Sequence, residues 1–261
     1  MSWALKRKIA YTSGTILFFV IVIGGPLAYW YFSIPATCTD GIQNQGETAV
    51  DKGGPCPLLD ERYLSPHAIL WSRGFRVRDG TYNAVAYIQN PNQNAGAVEV
   101  HYRFSLSDGD NVIVAPREGT TYIMPGGITP VFEGGINTGN RSVAHTYFEF
   151  IDPPVWERMA NTASAITINN KEIQNTATMP RITADAKNTS VETMNDLVFT
   201  AVVFDPAGNA FAASQTALPK LLAGESQRIV FTWPDPFTIP VGHFDIIAAS
   251  RPVPAAANPA N

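Results

Sequence analysis

Asp40, Asn44, Glu47 and Asp51 lie close together in one glycine-rich stretch near the N-terminal third of the chain. Carboxylate and amide oxygens at such spacing are the hard ligands calcium prefers, and a complete cage draws further oxygens from backbone carbonyls and water. Glycines at Gly41, Gly46, Gly53 and Gly54 permit the tight turns that would gather them. The spacing is not that of an EF-hand loop. The competing reading is a stalk bounded by Cys38 and Cys56, in which the same acids cap turns and face water. Both readings stand at this level.

Elsewhere the residues that do chemistry are scattered. The four histidines are His67, His101, His145 and His243. None is spaced i, i+4 from another, and none adjoins a cysteine pair, so zinc has no support. Nucleophile-elbow, P-loop and dinucleotide patterns are missing from the sequence. Gly126-Gly127 and Gly134-Gly135 read as hairpin turns. No catalytic or cofactor-binding residue is therefore expected, and calcium is the single cofactor with any candidate ligands. Exposed tryptophans recognise sugars and peptides, which makes Trp71, Trp156 and Trp233 candidates for a platform. Trp71 follows Ile69-Leu70 and Trp233 follows Ile229-Val230-Phe231, so both are expected in a core. Trp156, beside Pro153-Pro154, is expected to pack between domains.

The 261 residues suffice for two small domains and an anchor. Charged residues make up 15% of the chain, and the formal net charge is −4 with no basic stripe, which excludes a nucleic-acid partner. Lys6, Arg7 and Lys8 precede a stretch from Ile9 to Thr39 without any charge. Its apolar heart is Ile16–Ile23, and Tyr29, Trp30, Tyr31 and Phe32 sit where interfacial aromatics would end a membrane helix. The reading is a basic cytoplasmic stub over 1–8, a transmembrane helix over 9–33, and everything beyond it extracytoplasmic. Pro35-Ala36-Thr37 before Cys38 is a poor lipobox, and the bulky aromatic flank argues against signal cleavage. Gly24, Gly25 and Pro26 are expected to loosen the helix near its outer end.

After a stalk over 34–62 the sequence turns to period-two alternation. Val98, Val100, Tyr102 and Phe104 alternate with Glu99, His101, Arg103 and Ser105, which describes a strand with one wet face carrying His101. The segment 197–204 is apolar on both faces and should lie centrally or be covered. The two regions repeat one another. Ala86 to Asn90 followed by strand 98–106 and the Asp108–Asn111 turn parallels Ala184 to Asn188, strand 197–204 and the Asp205–Asn209 turn. Met124–Gly127 parallels Leu222–Glu225, and last strands follow at 145–151 and 243–249. The expectation is a mainly β chain: sandwich 1 over 63–152, a stiff Asp152-Pro153-Pro154 connector, sandwich 2 over 155–252, and a disordered Pro/Ala/Asn-rich tail over 253–261.

Residues 180–250 resemble the FxLYD-type family of bacterial β-sandwich domains. The likeness rests on Asn188-Thr189-Ser190, Val203-Phe204-Asp205, Gly208-Asn209, Ser214-Gln215-Thr216 and Ala223-Gly224-Glu225-Ser226. It implies two tandem immunoglobulin-like modules, the first matching more loosely. Residues 38–56 resemble a short cysteine-rich motif of bacterial surface proteins, with Asp40, Gly41, Asn44, Glu47, Asp51, Gly53, Gly54 and Cys56 in place. Lys52 and Leu59 stand where that motif has cysteines. The resemblance implies that Cys38 and Cys56 are the surviving disulfide pair, in keeping with an oxidising compartment. The function expected is a non-catalytic, membrane-anchored scaffold or interaction protein of the cell envelope with protein partners and an open oligomeric state. The alternative is a module that binds glycan or peptide, or assists an envelope enzyme.

Overall fold

The computed structural model describes residues 3–33, 38–44 and 46–253. The expected tail disorder over 254–261 and the lipobox stretch fall outside the described residues. The chain divides into two compact units, with the boundary in sequence between Gly54 and Pro55.

The first unit begins with α1 (Trp3–Phe19) and α2 (Gly25–Ser33), joined without a break by a π-turn over Val20–Gly24. Pro26 explains the π-turn. It has no N–H to give to the carbonyl one turn earlier and its ring crowds that carbonyl, so the backbone widens by one residue just before it. The helix starts ahead of the charge-free stretch and carries Lys6–Lys8 on its first turns, with the Arg7 guanidinium 4.2 Å above the Trp3 ring. Ile16, Phe18 and Ile21 are each more than half exposed. The segment Trp3–Trp30, whose apolar stretch reaches a mean hydropathy of 1.7, is long and apolar enough to cross a membrane.

The second unit is built from antiparallel strands. The first sandwich contains β1 (Ala68–Arg78), β2 (Thr81–Asn90), β3 (Ala95–Ser107), β4 (Ile113–Ile123), β5 (Gly127–Asn137), β6 (His145–Phe150) and the two-residue β7 (Glu157–Arg158). One sheet runs β1-β2-β5; the other runs β4-β3-β6, with β7 also on β3. The second sandwich contains β8 (Ile166–Gln174), β9 (Arg181–Asn188), β10 (Met194–Phe204), β11 (Ala210–Leu221), β12 (Ser226–Thr232) and β13 (His243–Ala249). Its sheets run β8-β9-β12 and β11-β10-β13, so strand for strand the two topologies are the same.

Each sandwich closes over its own core. Ala84, Ala86 and Ile88 of β2 meet Val100, Tyr102, Phe104 and Leu106 of β3 in the first. Ile182, Ala184 and Ala186 of β9 meet Leu197, Phe199, Ala201 and Val203 of β10 in the second. A third cluster joins the sandwiches: Phe75, Val85 and Tyr87 pack against Val202, Phe204, Ala210 and Ala213. The result is four stacked sheets in which the inner two are buried on both faces. That is why segment 197–204 is apolar on both sides, as expected of a covered strand.

Two expectations need correction. Gly134-Gly135 is not a hairpin turn. It lies inside β5, where two glycines oppose the single Asn83 and Gly135, at φ +67°, donates its N–H to Asn83 Oδ1 (3.1 Å). This is a bulge, and only glycine takes that backbone without strain. Trp156 does not pack between the sandwiches. It fills the first core, and its ring lies 5.6 Å from that of His67.

Candidate functional site

The Cys-bounded loop brings its four oxygen-bearing residues into one hydrogen-bond network, and the donors belong to the loop itself. Asp40 Oδ1 accepts the Ile42 N–H (2.8 Å), and Asp40 Oδ2 accepts the Asn44 side-chain amide (3.0 Å). Asp51 accepts the Gly41 N–H through both oxygens, at 3.2 and 3.1 Å. Glu47 is buried, and one of its oxygens accepts the N–H groups of both Asn44 and Asp51, each at 3.2 Å. Asp51 stands at φ +55°, Gly53 at +76° and Gly54 at +54°, so the chain turns sharply around the glutamate. A Cβ on Gly53 would come within 2.2 Å of Thr48 Oγ1.

A calcium cage asks for oxygens that point together with no proton between them. Here each carboxylate accepts at least one N–H, and the cluster of three candidate ligand groups found among the described residues joins Glu47 to the two cysteines. In this fold the three carboxylates accept N–H groups at the turns of their own loop. The two cysteines are disulfide-bonded to each other, so they offer no thiolate.

The histidines serve separate local roles. His67 is half-buried with its ring 5.5 Å from Phe150, and burial pushes its pKa below the usual value. His101 lies on the wet face, 3.1 Å from an Asp152 carboxylate oxygen. His145 is exposed, and His243 stacks on Phe204 at 4.5 Å. Trp233 is in the second core as expected. Trp71 joins the cluster between the sandwiches instead, with its ring 4.3 Å from Tyr87.

The outer sheet faces are polar. On β4-β3-β6, Arg103 bridges Glu118 (2.7 Å) and Glu149 (3.1 Å) across three strands. On β8-β9-β12, the Asn170 amide and Arg228 both reach Asp185, whose carboxyl they hold below the usual range, the amide foremost. The surface also holds an open groove of about 740 Å³. It lies at the end of the second sandwich and is lined by the loop 190–196, residues 250–253, the connector before β8 and Val98. Sequence reasoning missed this groove because its walls come from four distant stretches of chain.

No family model matches the chain, and no curated protein matches it in sequence. Among solved structures it is similar to a red sea bream transglutaminase (6% identity, TM-score 0.23), covering 72% of this chain and 30% of that one. It is also similar to a Bacteroides uniformis β-glucuronidase (14% identity, TM-score 0.21), covering 60% of this chain and 22% of that one. The chain thus spans less than a third of either protein, and likenesses this slight carry no argument about activity.

Proposed function

We propose that the chain is a membrane-anchored, non-catalytic interaction protein that holds its paired sandwiches on the extracytoplasmic side. The observation that carries the reading is the Cys38–Cys56 disulfide, which follows an apolar helix of membrane-spanning length. Disulfides persist in oxidising compartments, and Lys6–Lys8 ahead of the span favour a cytoplasmic N-terminus. Polar outer faces, with no exposed cluster of aromatics on them among the described residues, favour protein partners over glycan. On this reading the FxLYD-type resemblance describes a display module, and the acidic loop is its disulfide-closed stalk.

Membranes from cells alkylated before lysis test this directly. The chain is expected to resist extraction at alkaline pH and to show Cys38 and Cys56 linked in mass mapping. Two free, alkylated thiols in membrane-bound protein would overturn the sidedness.

A further inference from the structure

The loops after Asn90 and Asn188 hold equivalent places in the two sandwiches, yet only one of them is covered. In the first sandwich, Arg158 and Glu157 pair with Ala95 and Gly96 at the start of β3, and Leu58 bridges to Glu157 in turn. Ser65 and Asn92 exchange hydrogen bonds at 2.9 and 2.8 Å, while Leu59 and Leu64 pack onto the core. The chain's own extended segments therefore close this end and leave a hollow of about 270 Å³.

In the second sandwich the ladder from β13 onto β10 stops at Ala249 opposite Val198. Among the described residues no strand pairs with Met194–Leu197 on that side. The chain turns away instead, and Ser250 Oγ lies 2.9 Å from Thr162 Oγ1. The space left beside β10 is the 740 Å³ groove. Its size and its place at a junction of domains are those of a ligand site.

The groove combines apolar surface with unspent charge. Val98, Met194 and Val253 line it, and Val191 at its lip is 93% exposed. Val191 is not on a slack loop, because the buried Asn188 amide donates to Glu192 O (2.7 Å) and its Oδ1 accepts the Ser190 N–H (2.9 Å). The first copy has Gln93 in the equivalent place. Glu192, Asp196 and Arg251 also line the groove, and no ion pair engages them among the described residues. Two carboxylates against one guanidinium favour a cationic guest.

We propose that this groove binds an extended segment of a partner protein, with apolar side chains at alternate positions and a basic residue among them. The segment lies beside the start of β10 as Glu157 and Arg158 lie beside β3. Main-chain pairing supplies affinity in such strand addition, and the alternate side chains supply choice. The fixed position of Val191 lowers the ordering cost of binding. This inference rests on reading the chain as an interaction protein but not on which side of the membrane it faces.

The test uses the full chain in detergent micelles and a fluorescein-labelled peptide of alternating valine and lysine, ended by prolines to prevent self-pairing. Anisotropy should show saturable binding that weakens about tenfold or more in Val191→Asp and in the Glu192→Gln/Asp196→Asn pair. A peptide with glutamate in place of lysine should bind about tenfold more weakly or worse. Circular dichroism confirms that each variant is folded, and Val191 is exposed enough that its change leaves the core intact. Absent saturable binding, or binding indifferent to both variants, would overturn the proposal. So would binding that appears only after residues 254–261 are removed, because the chain's own terminus would then be the occupant. Alkaline extraction reads the anchor separately, so the two proposals fail independently.

Discussion

Strands β2 and β9 share one face and differ on the other. With Asn90 aligned to Asn188, the core positions Ala84, Ala86 and Ile88 match Ile182, Ala184 and Ala186. The opposite face reads Val85, Tyr87 and Gln89 in the first copy and Thr183, Asp185 and Lys187 in the second. Strands β3 and β10 reverse the pattern. With Asp108 aligned to Asp205, the wet His101, Arg103 and Ser105 correspond to Val198, Thr200 and Val202. One sheet of each copy has thus become apolar on both sides, and these are the two sheets that meet. The outer sheets keep charge, which prevents the stack from continuing onto another chain. Duplication supplies the framework, and the face that changed sides decides which surfaces join.

Exchanging that face is the strongest way to break the comparison. Val85→Thr with Tyr87→Asp gives the inner sheet the outer chemistry of β9 and leaves a carboxylate where Tyr87 is buried. The expected loss is roughly 3–5 kcal/mol, the scale of an unpaired buried charge, and calorimetry should show one transition splitting into two. An unsplit transition of unchanged midpoint would deny that this interface joins the sandwiches. The framework itself is probed by Asn90→Ala and Asn188→Ala. Asn90 donates to Ala95 O (2.7 Å) and Met124 O (2.8 Å). Asn188 donates to Glu192 O (2.7 Å) and Leu221 O (3.1 Å). Each replacement removes two hydrogen bonds donated by a buried amide and should cost about 1–3 kcal/mol; a marked difference in cost between the two would show that the repeats are not energetically equivalent.

The reverse exchange should cost much less stability. Thr183→Val with Asp185→Tyr alters an outer face and removes the Asn170 and Arg228 contacts of Asp185, so the loss should stay at about 1 kcal/mol. The new apolar patch should instead appear as self-association in sedimentation, and a strictly unchanged distribution would count against the account of why the stack ends.

Protonation gives the smallest effect. The Asp108 and Asp205 carboxyls are held below the usual range, first by the N–H groups of Val112 and Asn209. Their stabilisation is present above the unfolded value of about 3.9 and is lost as pH falls through the lower folded value. His67 has no counterpart in the second copy. Burial favours its neutral form, so its contribution is complete above about pH 6.5 and declines as pH falls toward its lowered folded value. His67→Phe should remove a shallow loss of thermal stability that sets in as pH falls through about 6.5 and leave the acid loss below about pH 4. An unchanged pH profile would remove His67 from the explanation.

Much of this architecture was legible from local chemistry. The Asp-Gly-Asn turns, the two-faced apolarity of 197–204 and the Asn90/Asn188 correspondence each depend on neighbours in sequence, and so they show in the text. The Gly134-Gly135 bulge did not, because a glycine pair reads alike in a turn and in a bulge until its partner Asn83 is known. Trp156 was misplaced because its position beside two prolines says nothing of the core that β7 carries it into. The acidic loop was legible as a cluster, but the N–H groups that occupy its oxygens depend on backbone turns that no side-chain spacing encodes. The groove was invisible because what defines it is a strand pairing that one copy has and the other lacks.

The central claim is that the helix holds both sandwiches outside the cytoplasm. Protease added to intact spheroplasts carrying a C-terminally tagged chain, with inverted membrane vesicles as the converse, tests it most directly. The account predicts loss of the tag and digestion beyond residue 40 in spheroplasts, and protection in inverted vesicles. Protection in spheroplasts with digestion in the vesicles would contradict it.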